Sequence, residues 1–459
     1  MPWQEFEIKD FSEGLIDKVD DDLLPENAAA DVQNFIGTKI GSLKKRAGQK
    51  RLNNTELGGF IQGLYAYYYS NQRRLVAVAN GTAYYWDGSD FVELKTGLHP
   101  TAMAQFTTTA NYMVCFNGIN PPWKWDGIEV SELANAPSKG RFALFHKGKL
   151  FTVDADTPSI LRWSNSFQPE TWEEVNYWEV KAGDGDEITC LRKHLDTLVI
   201  FKKHSLHVLS GTNLDDFRME ELDEKTGCVG PNAAVIDSAK LYFVSENGLY
   251  VWNGMQVKNL SQERIPHLWE RINKPYLHKA AVTTWNGLIW FALPEGSSTY
   301  NNLVIVYDPN GGRFWIFRGI NASCFEVFND GVRRKLLAGD SVAGFVNEQD
   351  TETDDFGEPI EAYWEGKSLA VGIADRKNLF SWAVLQDMPG ANGVELEVSI
   401  DYGEFNSLLP GDEDDLVRRF DFYTEYEGRY LKPKLYHNLL GGCEVRGLKI
   451  YFRPFVGVL

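Results

Sequence analysis

Residues 249–254, which read Leu-Tyr-Val-Trp-Asn-Gly, decide the fold, because versions of this stretch recur along the chain. In each version an aromatic or apolar strand runs into a turn, usually one that contains Gly, and a second strand follows. The other copies lie at residues 84–88, 123–127, 161–165, 208–211, 305–311 and 343–345. A repeat of roughly 40–45 residues made of short strands is typical of a β-propeller blade.

Short apolar strands precede these turns. Examples are residues 75–79, 113–116, 150–153, 198–201, 241–244, 288–291 and 336–338. A strand, a turn and a second strand form a hairpin, and two hairpins form one four-stranded blade. The sequence therefore predicts an all-β fold with a β-propeller over residues 61–350. It has six or seven blades, and the pattern favours seven. Because a propeller ring has to be sealed, we expect distant sequence to complete the first or last blade.

The regions outside the repeats differ in character. Residues 1–60 are predicted to form an N-terminal arm, with a short helix over residues 28–35 after Pro25 and a basic segment behind it. Residues 348–359 are acidic and turn-forming, and we place a domain boundary there. Residues 360–459 contain strands that alternate apolar and polar residues, which predicts a C-terminal β-sandwich-like domain. Within the repeats, Ile265, Leu268, Trp269 and Ile272 have helical spacing and predict one inserted helix.

Composition restricts the function classes. The formal net charge of −18 repels polyanions and argues against a general nucleic-acid binder, although DNA could still slide past such a surface. The sequence contains no run of about 18 apolar residues, so it predicts no membrane span. The first residues do not have the pattern of a secretory signal. The five cysteines are scattered, which predicts free thiols made in a reducing cytoplasm.

The chain carries no strong catalytic motif. No HExxH, CxxC, GxSxG or P-loop pattern occurs, so we predict no catalytic residue, cofactor or metal ligand. His204 and His207 would lie on opposite faces of a strand, which does not suit a shared metal. Residues 399–405 resemble a single sialidase-type Asp-box, but a hairpin turn between two sandwich strands explains them better. The Gly-Asp-Gly-Asp-Glu stretch at 183–187 is interpreted as a solvated turn rather than a cation site.

One local reversal of charge stands out between residues 39 and 51. It contains no acidic residue and six basic ones: Lys39, Lys44, Lys45, Arg46, Lys50 and Arg51. These residues could face DNA phosphates. They could also contact an acidic partner or a neighbouring acidic subunit, which the acidity of the rest of the chain favours. We therefore predict them as the interaction residues of this chain.

The N-terminal arm resembles the opening of many phage tail and neck proteins. That opening reads roughly F-x-G-G-L-N, L-P-x-N-x-A, Q-N-F and L-x-K-R-x-G. Its counterparts here are residues 11–15 (Phe-Ser-Glu-Gly-Leu), 23–27 (Leu-Leu-Pro-Glu-Asn), 30–35 (Ala-Asp-Val-Gln-Asn-Phe) and 43–48 (Leu-Lys-Lys-Arg-Ala-Gly). Glu13-Gly14 replaces the double glycine, and Ile16 stands where Asn is common. The layout of arm, propeller and β-domain is also similar to the tail hub, or nozzle, of short-tailed phages, the packaged-DNA stabilisation protein family.

This resemblance implies a structural virion protein, made in the host cytoplasm and located in the tail. Such proteins form a ring, usually a hexamer, below the portal and adaptor proteins, and carry tail fibres or spikes. The ring encloses a channel for ejection of genomic DNA, and acidic walls would let DNA pass without sequence-specific binding. We expect the pore to lie between subunits, because a propeller is filled too tightly to pass a duplex. The family brings no catalytic residues with it.

Three other functions remain open at this point. The first is a neck or tail-completion protein of a long-tailed phage. The second is a carbohydrate-active propeller enzyme of the sialidase type. Several Asp-boxes and an arginine cluster in the propeller would favour it, and the sequence shows neither. The third is a propeller scaffold that binds cellular proteins, against which the phage-like N-terminus argues.

Overall fold

A ring of seven four-stranded antiparallel sheets forms the larger part of the molecule. The computed structural model describes residues 2–69, 72–109, 111–371, 377–387, 393–413 and 417–454. The first strand of each sheet contacts the first strand of the next, and the seventh contacts the first, which closes the ring. The protein is therefore a seven-bladed β-propeller with the first strands around the central channel, as the repeats predict.

The first four blades follow one another in sequence, each built from consecutive strands. Blade 1 comprises Ile61–Tyr69, Gln72–Ala79, Thr82–Trp86 and Phe91–Lys95. Blade 2 comprises Gln105–Thr108, Met113–Phe116, Trp123–Trp125 and Val130–Glu132. Blade 3 comprises Leu144–His146, Lys149–Val153, Ile160–Trp163 and Tyr177–Glu179. Blade 4 comprises Ile188–His194, Thr197–Lys202, Leu206–Ser210 and Arg218–Asp223.

The last blade is sealed by the N-terminal arm. Blade 5 comprises Ala234–Asp237, Lys240–Ser245, Gly248–Trp252 and Val257–Asn259, and blade 6 comprises Ala281–Trp285, Leu288–Leu293, Leu303–Asp308 and Arg313–Arg318. Blade 7 takes Ala322–Asn329, Arg334–Asp340 and Val346–Gln349 from the end of the repeats and its outer strand, Gln49–Arg51, from the arm. This confirms that distant sequence closes the ring and satisfies an otherwise open sheet edge.

The helix predicted over residues 28–35 is wrong. The arm forms strands at Gln4–Ile8, Gly14–Leu15, Ala28–Ala29, Asp31–Gln33, Phe35–Gly37 and Leu43–Lys45, and a 3-10 turn at Asp21–Leu23. Asn34 adopts a left-handed φ of 56°, which a helix does not allow. Val32 and Gln33 pair with Trp364 and Tyr363 of the C-terminal region, so long-range strand pairing overrides the local helical preference of the alanines.

Two sheets form the C-terminal β-sandwich-like domain, and both take strands from the arm. One sheet contains, in order, Leu409–Glu413, Val417–Gly428, Asn378–Asp387, Glu444–Pro454, Leu43–Lys45 and Phe35–Gly37, with Gln4–Ile8 also on Glu444–Pro454. The other contains Asn406–Ser407, Glu395–Ile400, Tyr430–His437, Ala362–Glu365 and Asp31–Gln33, with Leu369–Ala370 on Tyr430–His437. The arm is thus part of the sandwich as well as of blade 7.

One apolar core runs from blades 4–7 into the sandwich. The ring edge of Phe11 in the arm packs against Trp364 of the sandwich, with ring centres 5.0 Å apart.

The predicted helix inside the repeats is a single turn, Pro266–Glu270, followed by a 3-10 helix at Lys274–Lys279. Leu268 and Trp269 are buried in the core. All five cysteines are free and buried. Across the described ranges, no helix has the length and apolar character needed to cross a membrane.

Candidate functional site

A cavity opens at the end of the channel where the first strands begin. It has a volume of about 380 Å³ and is lined by residues just before the first strands, among them Arg141, Glu187, Asn232 and Lys279. An Arg141 guanidinium nitrogen lies 2.6 Å from a carboxylate oxygen of Glu187. The Lys279 ammonium donates to the carbonyl of Thr299 at 2.8 Å. The mouth is therefore polar and carries both signs of charge.

Hydrogen bonds between blades close the channel behind this cavity. Gln105 of blade 2 donates to the side-chain oxygen of Asn232, on the approach to blade 5, at 2.9 Å. The Tyr65 hydroxyl lies 2.7 Å from that of Thr108, which joins blades 1 and 2. A hydrogen bond that joins blades 2 and 5 leaves no width for a nucleic-acid duplex. The channel of this propeller is therefore too narrow at this level for a nucleic-acid duplex.

A carboxyl group lies inside this narrow channel. Glu326 is on the first strand of blade 7, against the backbone N–H groups of Ala66 and Val327. Removal from water raises its pKa to about 8, and the two N–H groups only partly oppose that shift. The residue as a whole is half-buried, whereas its carboxyl group is enclosed by protein atoms. Glu326 is therefore a carboxyl group with a raised pKa and no partner cation close to it among the described residues.

Part of the basic segment is a structural joint. Arg46 is buried, and its guanidinium forms a two-pronged ion pair with Asp355, one arm of which measures 3.0 Å. It also donates to the Asn34 side chain at 2.9 Å and to the carbonyl of Arg318 in blade 6 at 2.8 Å. Asn34 in turn donates to the carbonyl of Glu361 at 2.8 Å. Arg46 thus joins the arm, blade 6 and the connection into the sandwich.

Lys45 is also directed into the protein. Its ammonium donates to the carbonyl of Leu439 at 3.0 Å and lies 3.3 Å from a ring nitrogen of His437. Burial lowers the pKa of Lys45. Arg46 and Lys45 were predicted to meet a partner, and the structure corrects this, because both cations lie inside the chain. The sequence pattern shows a concentration of basic residues, but it does not show that the side chains of two of them point into the protein.

The other four predicted residues are more accessible. Lys50 pairs with Glu352 at 3.1 Å, and the Arg51 guanidinium lies 4.0 Å from the ring centre of Phe345. Lys39 and Lys44 are exposed. Neither of these two side chains has a hydrogen bond or ion pair with a described residue. Only Lys39, Lys44 and Arg51 therefore offer exposed side chains to a partner, with Lys50 beside them.

The remaining candidates have structural roles. His207 is buried beside Ser205, whereas His204 faces Asp186 and Glu246 at the surface, so the two histidines diverge as predicted. Residues 399–405 form the predicted turn between sandwich strands. The 183–187 turn is tied down by Asp184, whose carboxylate pairs with buried Lys202. No cluster of metal-ligating side chains is found where the structure is described.

Sequence reasoning missed the residues that fill the channel. Arg141, Glu187 and Asn232 belong to three different connections before first strands, and Glu326 belongs to a fourth blade. None lies in a recurring motif, because the repeated turn is at the opposite end of each blade. A consistent alignment of all seven blades would have placed them at one level around the axis, but the copies are too divergent for that.

No protein-family profile matches the sequence, and no curated protein matches it. Many solved structures resemble it. It is similar to the computationally designed Ika8 protein, at 13% identity over 66% of this chain and 100% of that chain, with a TM-score of 0.40. It is similar to the extracellular domain of the hybrid two component system BT4673 from B. thetaiotaomicron, at 9% identity, with 78% and 44% coverage and a TM-score of 0.49. It is also similar to YCF48 bound to D1 peptide, at 8% identity, with 67% and 98% coverage and a TM-score of 0.43.

Proposed function

We propose that this protein is a structural component of a phage virion, a tail hub or nozzle that forms a ring below the portal and adaptor proteins. One observation carries the proposal. The arm segments that resemble the opening of phage tail and neck proteins are the segments that join the propeller to the sandwich. They supply strands to both sandwich sheets, and the strand directly after them closes blade 7. The resemblance therefore concerns residues with a definite architectural role.

The matched residues also have individual roles. Asn34 and Phe35 belong to the Q-N-F segment, and Asn34 holds both Arg46 and the backbone N–H of Arg318. Arg46 and Gly48 belong to the L-x-K-R-x-G segment. A side-chain carbon at Gly48 would lie 1.8 Å from the carbonyl oxygen of Asp354, so only glycine fits there. An arm built in this way suits a protein whose two domains must keep a fixed relation within a ring.

The charge supports a channel between subunits. The net charge is −18, and the propeller axis is closed by hydrogen bonds between blades. An acidic wall assembled from several copies would repel phosphates and let a genome slide without being trapped. Tail fibres or spikes would then attach to the outside of the ring. A neck or tail-completion protein of a long-tailed phage would share these properties.

The test is the mass of the full chain in solution, measured by light scattering alone and with the portal and adaptor proteins of the same virion. The expected result is a ring of about six subunits, formed alone or on the adaptor ring. A chain that stays monomeric and binds neither protein would overturn the proposal. Electron microscopy of the complex separates the two virion alternatives, because a tail hub lies at the end of the tube and a neck protein lies between head and tail.

A second candidate is a carbohydrate-active propeller. The observation that favours it is the cavity of about 380 Å³, with a guanidinium, a carboxylate and an aromatic ring in Arg141, Glu187 and Tyr300. Clefts with a few converging polar groups are common ligand sites. A glycan array with the wild-type chain and an Arg141→Ala variant tests it. Binding that disappears in the variant supports this candidate, and an array without any binding excludes it.

A further inference from the structure

The two faces of the propeller differ in their exposed apolar side chains. We define the hairpin face as the face that carries the turns between first and second strands and between third and fourth strands. The exposed large apolar side chains at its turns and adjoining strand ends include Tyr68, Tyr69, Ile128, Phe167, Val175, Tyr177, Leu195, Leu214, Met255 and Val332. The opposite face exposes only Ile119 and Val342 in turns among the described residues. Apolar residues concentrated on one face indicate an interaction surface.

Cations surround the channel at the centre of the hairpin face. We define the cation ring as Arg73, Lys193, Lys240 and Arg334, which are exposed and stand at or next to the turns between first and second strands of blades 1, 4, 5 and 7. The Arg73 guanidinium donates to the Asn329 side chain at 3.1 Å. The side chains of the other three have no hydrogen bond or ion pair with any described residue. These four residues come from distant parts of the sequence, and no motif marks them.

Two of the carboxylates next to the cation ring are paired with other cations, and two accept hydrogen bonds from neutral groups. Asp196 pairs with Lys147 at 2.9 Å, and Asp330 pairs with Lys335 at 2.9 Å. Asp350 accepts hydrogen bonds from the side chains of Trp285 and Asn286. Asp237 accepts a hydrogen bond from the Thr284 hydroxyl at 2.9 Å and, like Asp350, has no cationic partner among the described residues. The four cations of the ring outnumber these two carboxylates, so the centre of the face has an excess of positive charge in a chain whose net charge is −18. The centre of this face is suited to an anionic group.

The outer part of the face is acidic instead. Asp87, Asp126 and Asp216 stand in turns between third and fourth strands, farther from the axis. Backbone N–H groups lower the pKa of each of these aspartates, that of Asp216 to about 2, so they stay charged. A long polyanion such as a DNA duplex would meet these charges on either side of the cation ring. A short acidic ligand reaches the ring without meeting them.

We propose that the hairpin face binds a short acidic segment of a partner polypeptide, with its carboxylates on the cation ring and its apolar side chains on Tyr68, Leu195 and Val332. The apolar residues beside the cations favour a polypeptide, because a phosphate chain has nothing to place against them. The complementary charges would speed encounter and fix orientation, and the apolar contacts would supply most of the binding free energy. The inference does not rest on a role in a virion.

The experiment exposes the full chain to an array of random 12-residue peptides. Wild-type protein is compared with a variant in which Arg73, Lys193, Lys240 and Arg334 are all changed to Ser. The control variant makes the same change in charge elsewhere, at the exposed residues Lys18, Lys225, Arg429 and Arg446. We expect the wild type and the control to select peptides rich in Asp or Glu with apolar residues between them. The cation-ring variant should bind those peptides at least tenfold more weakly.

Single substitutions separate apolar contact from charge. Leu195→Ser and Val332→Ser should each weaken the selected peptides several-fold. Val342→Ser changes an exposed valine on the opposite face and should leave binding unchanged. All these side chains are exposed, so thermal unfolding should be unaffected, and it is measured to confirm that each variant is folded.

Two outcomes would overturn the proposal. One is an array that shows no enrichment of acidic peptides, or an enrichment that the cation-ring variant retains. The other is competition by a single-stranded or duplex oligonucleotide that binds through the cation ring more tightly than any selected peptide, which would assign the face to nucleic acid. Neither outcome depends on whether the chain forms a ring, so failure here is distinct from failure of the proposed function.

Discussion

Two groups of basic residues, the segment at 39–51 and the cation ring, have the same charge and opposite roles. The first is continuous in sequence, and its residues Lys45 and Arg46 are enclosed by carbonyl groups and a carboxylate of the same chain. The second is scattered over four blades and is exposed at the surface. Lys44 and Lys45 lie on one strand and point to opposite faces of the sheet, so Lys45 turns inward. Arg46 lies just past the end of that strand and turns inward to pair with Asp355. In the cation ring, by contrast, the fold brings exposed basic side chains from four blades to one surface.

The largest effect that would break this comparison is expected from Arg46→Ala. The change leaves the Asp355 carboxylate and the Arg318 carbonyl without their shared donor inside the joint, which should cost about 3–5 kcal/mol of unfolding free energy. Urea denaturation measures it. Arg51→Ala removes an exposed cation and should cost less than about 1 kcal/mol. Equal losses in the two variants would show that the Arg46 ion pair has no special role.

The next effect concerns the close approach of the arm to the connection after blade 7. Gly48→Ala would place a carbon 1.8 Å from the Asp354 carbonyl oxygen, so the backbone has to move. We expect a loss of about 3 kcal/mol, measured as a lower thermal midpoint. Gly442→Ala is the matched control, because the nearest atom to its new carbon would be 4.0 Å away. If both glycines tolerate alanine equally, the arm does not pack as tightly as the structure indicates.

A smaller, pH-dependent effect is expected from Glu326 in the channel. Its pKa is about 8 in the folded protein, against an ordinary value of 4.5. Between these values the folded state holds a proton that the unfolded chain has released, so stability falls as the pH rises. Glu326→Gln should remove about 2 kcal/mol of this fall between pH 5 and pH 9, seen in thermal midpoints measured at several pH values. If the thermal midpoints of the two proteins change in parallel with pH, the Glu326 carboxyl has an ordinary pKa and is in contact with water.

The repeats predict the fold because each blade carries its own strand and turn signals. Local sequence is enough for those signals, as the copy at Leu249–Gly254 shows. The arm is different, since the alanines at 28–30 favour a helix, whereas pairing with other strands makes this region extended. Ala28–Ala29 pair with Gly14–Leu15, and Asp31–Gln33 pair with Ala362–Glu365. A single sequence does not show which other strand each part of the arm will pair with. The channel mouth and the cation ring are harder still, because their residues meet only after seven blades close.

The smallest effect on stability, and the sharpest test of the accessible part of the basic segment, is expected from Lys39→Glu combined with Lys44→Gln. Both side chains are exposed, so the unfolding free energy should change by less than about 0.5 kcal/mol. Gln rather than Glu is chosen at Lys44 because Glu444 lies directly opposite on the paired strand, and like charges there would destabilise the sheet.

If these lysines face an acidic neighbouring subunit, the concentration needed for ring assembly should rise several-fold, and more so at low salt. Light scattering of wild type and variant over a dilution series measures this. Unchanged assembly would leave the basic segment with its intramolecular role alone.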